Sequence, residues 1–114
     1  MNGIVEEWVS KLKNSDKLII VEGKKDKAAL EELGIKNIVI LRNAIYKDVE
    51  NIVNNGDKEI VILTDLDKMG KKLYARLKRD LTERGITIDN YFREFLFKHT
   101  RLRQIEGIIR YIKY

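Results

Sequence analysis

The chain contains no cysteine and no proline among its 114 residues. Without cysteine there is no disulfide framework, no thiolate zinc site and no cysteine nucleophile. Histidine and tryptophan occur once each, as His99 and Trp8. A lone imidazole with no identified partner is a weak basis for general-base catalysis, and Trp8 reads as a staple between an N-terminal helix and the sheet or another subunit. Long apolar runs are missing as well. No stretch approaches the ~18–20 residues needed to span a bilayer, and the N-terminus has no signal-peptide pattern. The expectation is a cytoplasmic protein with no membrane partner.

The length supports one core and not two, so 1–114 reads as a single domain. A hydrophobic fraction of 44% excludes wholesale disorder. Against 18 acidic residues stand 23 basic ones, a net +5. That mild excess is compatible with nucleic acid or other phosphorylated partners, but on charge alone a well-solvated surface is the readier reading.

One punctuation mark recurs. "EELGIKNIVIL", "VNNGDKEIVIL" and "TERGITIDNY" each read as a helix end, a glycine and an apolar run. Gly34, Gly56 and Gly85 therefore look like left-handed helix caps leading into strands. Leu18–Val21, Ile38–Leu41 and Ile60–Leu63 are short Ile/Val-rich runs of the kind buried on both faces, with Ile86–Ile88 a weaker fourth. Between them, residues 27–33, the stripe Ile45, Val49, Ile52 and Val53, and the stripe Leu73, Leu77 and Leu81 predict helices. Strands alternating with helices give an α/β class: a three-layer α/β/α, Rossmann-like fold on a mainly parallel sheet of about four strands. The core covers about 17–89. An amphipathic helix over about 3–13 precedes it, and one long helix over about 100–113 follows. "NYFREFLFKH" fits either a helix or an extended segment.

Two apolar runs end in acid. Glu22 closes the first strand in "LIIVEGKKD"; Asp65 and Asp67 close the third in "IVILTDLDKMGKK". Ligands of open α/β sheets bind outside the carboxyl ends of the strands, where strand order reverses. If the first and third strands are neighbours, the three carboxylates meet there, and a hard divalent cation such as Mg²⁺ relieves their repulsion. Around them the sequence is basic. Lys24 and Lys25 open the first core helix, Lys68, Lys71 and Lys72 follow the aspartates, and Arg42 ends the second strand. Carboxylates for a metal, ringed by cations for phosphate, describe a phosphoryl-transfer site. The competing readings are a D-x-D used as a turn or cap, solvated surface lysines, and Asp26 as the N-cap of the first core helix.

"IIVEGKKDKAALEELGI" followed by "IVILTDLDKMGKKL" resembles the Toprim domain, the metal-binding module of topoisomerases, bacterial-type primases, recombination proteins and several nucleases. Glu22–Gly23 matches its first motif; Asp65, Asp67 and Gly70 match its second. The likeness runs from about Lys17 to Asp89 and is nearest to small stand-alone Toprim proteins and to the Toprim nucleases of 5S ribosomal RNA maturation. The resemblance implies that Glu22 is a general acid/base and that Asp65 and Asp67, with Glu22, coordinate Mg²⁺ (Mn²⁺ as a substitute). Met69 stands where some members carry a third acid, which argues against a second metal. "HTRLRQIEG" is similar to the closing stretch of some small members, which would bring Arg101, Arg103 or Glu106 toward the site.

Fold alone does not fix the chemistry. A topoisomerase needs a tyrosine presented by another domain, and a primase needs a larger core. The leading expectation is Mg²⁺-dependent phosphodiester chemistry on nucleic acid, as a nuclease with RNA favoured over DNA, in a monomer or homodimer. Its rival is a non-catalytic nucleic-acid-binding module or a subunit of a larger processing complex. That reading draws on the C-terminal segment, where Arg101, Arg103, Arg110 and Lys113 face a single Glu106. Tyr91, Phe92, Phe95 and Phe97 serve either as core or as platforms for bases. A third reading takes Asp65 as the nucleophile of an aspartyl phosphatase, but that motif belongs on a first strand and is followed by Thr or Val, not Lys68.

Overall fold

The computed structural model describes residues 3–42 and 44–113. Four parallel strands, β1 (Leu18–Val21), β2 (Ile38–Ile40), β3 (Glu59–Leu63) and β4 (Thr87–Asp89), lie in the order β2-β1-β3-β4. Period-two alternation divides the two central strands between two cores. Ile19, Val21, Val61 and Leu63 face one layer; Leu18, Ile20, Ile60 and Ile62 face the other. The first layer holds α1 (Gly3–Asn14), α2 (Lys24–Glu32), α5 (Tyr91–His99) and the C-terminal segment; the second holds α3 (Ile45–Asn54) and α4 (Lys68–Glu83). This is the three-layer α/β/α arrangement that the sequence predicts. Among the described residues, no helix is long and apolar enough to cross a membrane.

The glycine punctuation does what its chemistry suggests. Gly34, Gly56 and Gly85 all have positive φ, between 84° and 89°. After α2, Ile35 N–H donates to Leu30 O and Gly34 N–H to Glu31 O; after α4, Ile86 N–H donates to Leu81 O. These bonds close the helices in the Schellman manner. They also explain why β4 begins at Thr87 and not at Ile86, whose N–H is already committed to the helix.

The ambiguous stretch 91–99 is helix α5. The single long helix expected over 100–113 does not form. Thr100 is extended (φ −135°, ψ 168°) and its hydroxyl donates to Leu96 O at 2.7 Å, ending α5. Residues 101–104 run as an irregular strap, and helix resumes only as a 3₁₀ turn, Ile105–Gly107, and the short α6, Ile108–Lys113. The physical cause is competition for backbone groups. Leu66 N–H donates to Arg103 O at 2.7 Å and Ile105 N–H donates to Asp65 Oδ1 at 2.9 Å. A continuous helix would need those groups internally. The proposed basic face is therefore split between strap and α6, and the Lys113 side chain lies outside the described residues.

Trp8 staples α1 within the chain. It is fully buried, donates from Nε1 to Phe92 O at 2.8 Å, and meets the Phe92 ring edge-on at 6.0 Å. Trp8→Phe removes that bond and opens space in the core, so it should lower stability by about 2 kcal/mol. Urea unfolding followed by circular dichroism measures this; a change below about 0.5 kcal/mol would mean that α1 is only loosely attached.

Candidate metal and phosphate site

In the observed strand order, β1 lies between β2 and β3, so the reversal falls between β1 and β3. Val21 pairs with Leu63, so the residues that follow leave the same edge of the sheet. Glu22 Oε2 accepts a hydrogen bond from Asp65 N–H at 2.7 Å, directly across that reversal. Asp65 Oδ1 accepts from Ile105 N–H, at the start of the 3₁₀ turn that follows the strap. Asp67 is the N-cap of α4, its Oδ1 accepting from Gly70 N–H at 2.8 Å. Leu66, between the aspartates, is only 1% exposed and packs into the core. The D-x-D thus alternates: acid at the crevice, leucine inward, acid at the crevice.

Two local features hold this turn. Thr64, fully buried, donates from its hydroxyl to Gly70 O at 2.9 Å. Gly70 admits no side chain, because a Cβ there would stand 2.0 Å from the carbonyl oxygen of Asp65. The glycine after the D-x-D is a steric necessity of α4 starting so close to the strand end.

Sequence reasoning missed Arg93. It is 6% exposed, donates from Nε to Thr64 O at 3.2 Å and from Nη2 to Asp65 O at 2.9 Å, and lies 4.5 Å from the Tyr74 ring centroid. It grips the backbone beneath the aspartates and puts one cation among their charges. The available signal was a lone arginine amid the apolar side of "YFREFLF". Burial draws the Arg93 pKa down, while Tyr74, Glu22, Asp65 and Asp67 act in the opposite direction.

The carboxylates feel one another. Burial raises the Glu22 pKa; the Asp65 N–H opposes this, and the Asp65 and Asp67 charges reinforce it. Burial likewise raises Asp65, opposed by Ile105 N–H and reinforced by Asp67 and Glu106. Asp26, pushed up to about 6 by burial and then by the Asp65 charge, belongs to the same group. It is not the N-cap of α2. That position is Gly23, and Asp26, in the first turn, reaches back to accept from Gly23 N–H at 3.1 Å. Negative charge thus gathers from five side chains: Glu22, Asp26, Asp65, Asp67 and Glu106.

Glu22, Asp65 and Asp67 each commit one oxygen to a backbone N–H and keep the other free of hydrogen bonds from the described residues. As a donor set, oxygens alone at the edge of a crevice fit Mg²⁺, which takes one or two carboxylates and completes its shell with water and phosphate. Among the described residues, no three acidic, histidine or cysteine side chains are drawn together tightly enough to form a cage by themselves.

The expected phosphate ligands separate into groups. Lys24 and Lys25 lie exposed in the first turn of α2, beside Glu22; Lys68, Lys71 and Lys72 lie exposed in the first turns of α4, beside Asp67. Arg101 and Arg103 are exposed on the strap that touches Leu66. Arg42 stands apart: it follows β2, beyond β1, and lines a cleft along the outer sheet edge with Lys27, Asn51 and Asn55.

Residues 16–91 match the family described as the Toprim domain. A UPF0292 protein of Methanocaldococcus jannaschii is 33% identical over 113 residues, spanning 96% of this chain and 87% of the relative. A UPF0292 protein of Pyrococcus horikoshii is 36% identical over 104 residues, spanning 90% of this chain and 77% of the relative. A solved structure of a protein from Aquifex aeolicus superposes with a TM-score of 0.82 at 35% identity, covering 90% of this chain and 95% of that one.

The charge on Asp26 has a measurable cost. Its pKa in the fold, about 6, exceeds the ordinary 3.8, so the folded state binds protons more tightly than the unfolded one. This contribution to stability is complete below about pH 4 and is lost as pH rises through about 6. In metal-free buffer, Asp26→Asn should flatten the decline between pH 4 and 7 by on the order of 2 kcal/mol. Parallel pH profiles for both proteins in urea would contradict the buried-charge account.

Proposed function

Because the chain belongs to the Toprim family, a metal-binding fold associated with nucleic acids, we propose that it is a Mg²⁺-dependent nuclease acting on RNA. Acting as a single Toprim domain in the cytoplasm, as a monomer or homodimer, it hydrolyses phosphodiester bonds. What supports this reading is that Glu22, Asp65 and Asp67 stand around the strand-order reversal, near enough for the Asp65 and Asp67 charges to act on Glu22, each with an oxygen to spare. Asp65 and Asp67, with Glu22, would hold Mg²⁺ or Mn²⁺. When bound, the ion supplies positive charge to the phosphate oxygens and acidity to a water.

The chain's own groups do the rest. Glu22, whose carboxyl is raised by burial and neighbouring charge, exchanges a proton with the attacking or leaving oxygen. Arg93 fixes the carbonyls of Thr64 and Asp65 and so keeps the aspartates aimed. Lys24 and Lys25 at the start of α2, and Lys68, Lys71 and Lys72 at the start of α4, take neighbouring phosphates. Arg101, Arg103 and, more remotely, Arg42 extend the cationic surface. Preference for RNA rests on likeness to the Toprim nucleases of 5S ribosomal RNA maturation.

A second reading, a non-catalytic binding module or subunit of a processing complex, draws on a specific observation. The carboxylates are satisfied in part by backbone N–H groups and form no tight cage among the described residues.

Labelled structured RNA, single-stranded RNA and duplex DNA, incubated with Mg²⁺ or Mn²⁺, separate the two. The nuclease reading expects metal-dependent cutting of RNA that falls at least ~100-fold in Glu22→Gln and Asp65→Asn, with both variants shown to fold by thermal melting. Binding without cutting of any substrate, unchanged in both variants, would leave the binding module.

A further inference from the structure

The aromatic run of α5 divides by exposure. Phe92 is buried and Phe95 half-buried, both within the core, whereas Phe97 is 44% exposed. The layer beneath is closed without it by Phe92, Leu96 and Leu102. Phe97 instead walls a cleft of about 420 Å³ together with Leu66, Thr100, Arg101, Leu102 and Arg103. Lys71 Nζ lies 4.7 Å from its ring centroid. Leu66 is the residue between Asp65 and Asp67, and Arg103 O holds its N–H. The cleft therefore abuts the D-x-D turn itself, with an aromatic wall and two arginines and a lysine around it.

Lys71 stands over one face of this ring, which leaves the other face for a flat base to stack on, and the cations offer charge to the phosphates on either side of that base. Bases inside a duplex are already stacked and paired, so this recognition is open only to an unpaired nucleotide. We propose that this cleft binds one unpaired base of a single-stranded segment against Phe97, with Arg101, Arg103 and Lys71 holding the flanking phosphates. The site thereby selects single-stranded nucleic acid, or an unpaired loop or end, over continuous duplex. This rests on the reading of the protein as one that binds nucleic acid, but not on its cutting it.

The test is a binding titration by fluorescence anisotropy in EDTA, so that cleavage plays no part. The probes are a labelled unstructured 12-nucleotide RNA, the same sequence as DNA, and a blunt duplex. The proteins are wild type, Phe97→Ala, Phe97→Leu and Phe97→Trp. Because Phe97 is exposed, all are expected to melt as wild type, and thermal melting checks this. Wild type should bind the single strands at least tenfold more tightly than the duplex. Phe97→Ala and Phe97→Leu should lose about tenfold on single strands and little on duplex, while Phe97→Trp retains wild-type affinity. Equal affinity for single strand and duplex, or a Phe97→Leu protein that binds single strands as wild type does, overturns the stacking proposal and leaves the broader reading standing. Failure of wild type to bind any of the three probes overturns the stacking proposal, while the nuclease reading, which depends on the ion, stands or falls by the cleavage assay with Mg²⁺ or Mn²⁺.

Discussion

The hydrogen bond from Asp65 N–H to Glu22 Oε2, 2.7 Å long, ties the carboxyl end of β1 to the turn that follows β3. Both strands are buried on both faces, so neither can shift to relieve the approach of their acids. The surroundings absorb the charge instead. Ile105 N–H and Gly70 N–H each take one carboxylate oxygen, and Arg93 holds the carbonyls beneath. Remove that arrangement and three negative side chains remain at a strand-order reversal with nothing to orient them.

The same demand shapes parts of the molecule distant in sequence. Gly70 is a glycine because α4 begins against the Asp65 carbonyl. Residues 101–104 are a strap because their backbone serves the D-x-D turn before it can serve a helix. The α1 helix, through Trp8, supports the α5 helix that carries both Arg93 and Phe97. A substitution in α1 can therefore reach the crevice by loosening α5, without touching any group in it.

Much of the fold was legible in the sequence because its signals are local. Three glycines with positive φ mark helix ends, and uninterrupted Ile/Val runs mark strands covered on both sides. Glu22, Asp65, Asp67 and the cations beside them were legible for a related reason: each lies within a few residues of a strand end. What escaped depends on contacts across the chain. Arg93 and Asp65 are 28 residues apart, and no periodicity announces that an arginine on an apolar helix face will grip a backbone turn. The strap reads as helix in the sequence because Leu102, Ile105, Ile108, Ile109 and Ile112 keep helical spacing, and the pattern says nothing about Leu66 and Asp65 competing for the backbone. Arg42 looks in sequence like part of the crevice because it ends a strand, although that strand lies on the far side of β1.

The central claim is that the oxygens left over by these backbone bonds bind a divalent cation. Titration of the protein with Mn²⁺, following free ion by electron paramagnetic resonance, tests it without any substrate. The account predicts one site, displaced by Mg²⁺, whose affinity drops at least tenfold in Asp65→Asn and Asp67→Asn and is unchanged in Arg42→Ala. Binding that is absent in wild type, or equal in wild type and both aspartate variants, would contradict it.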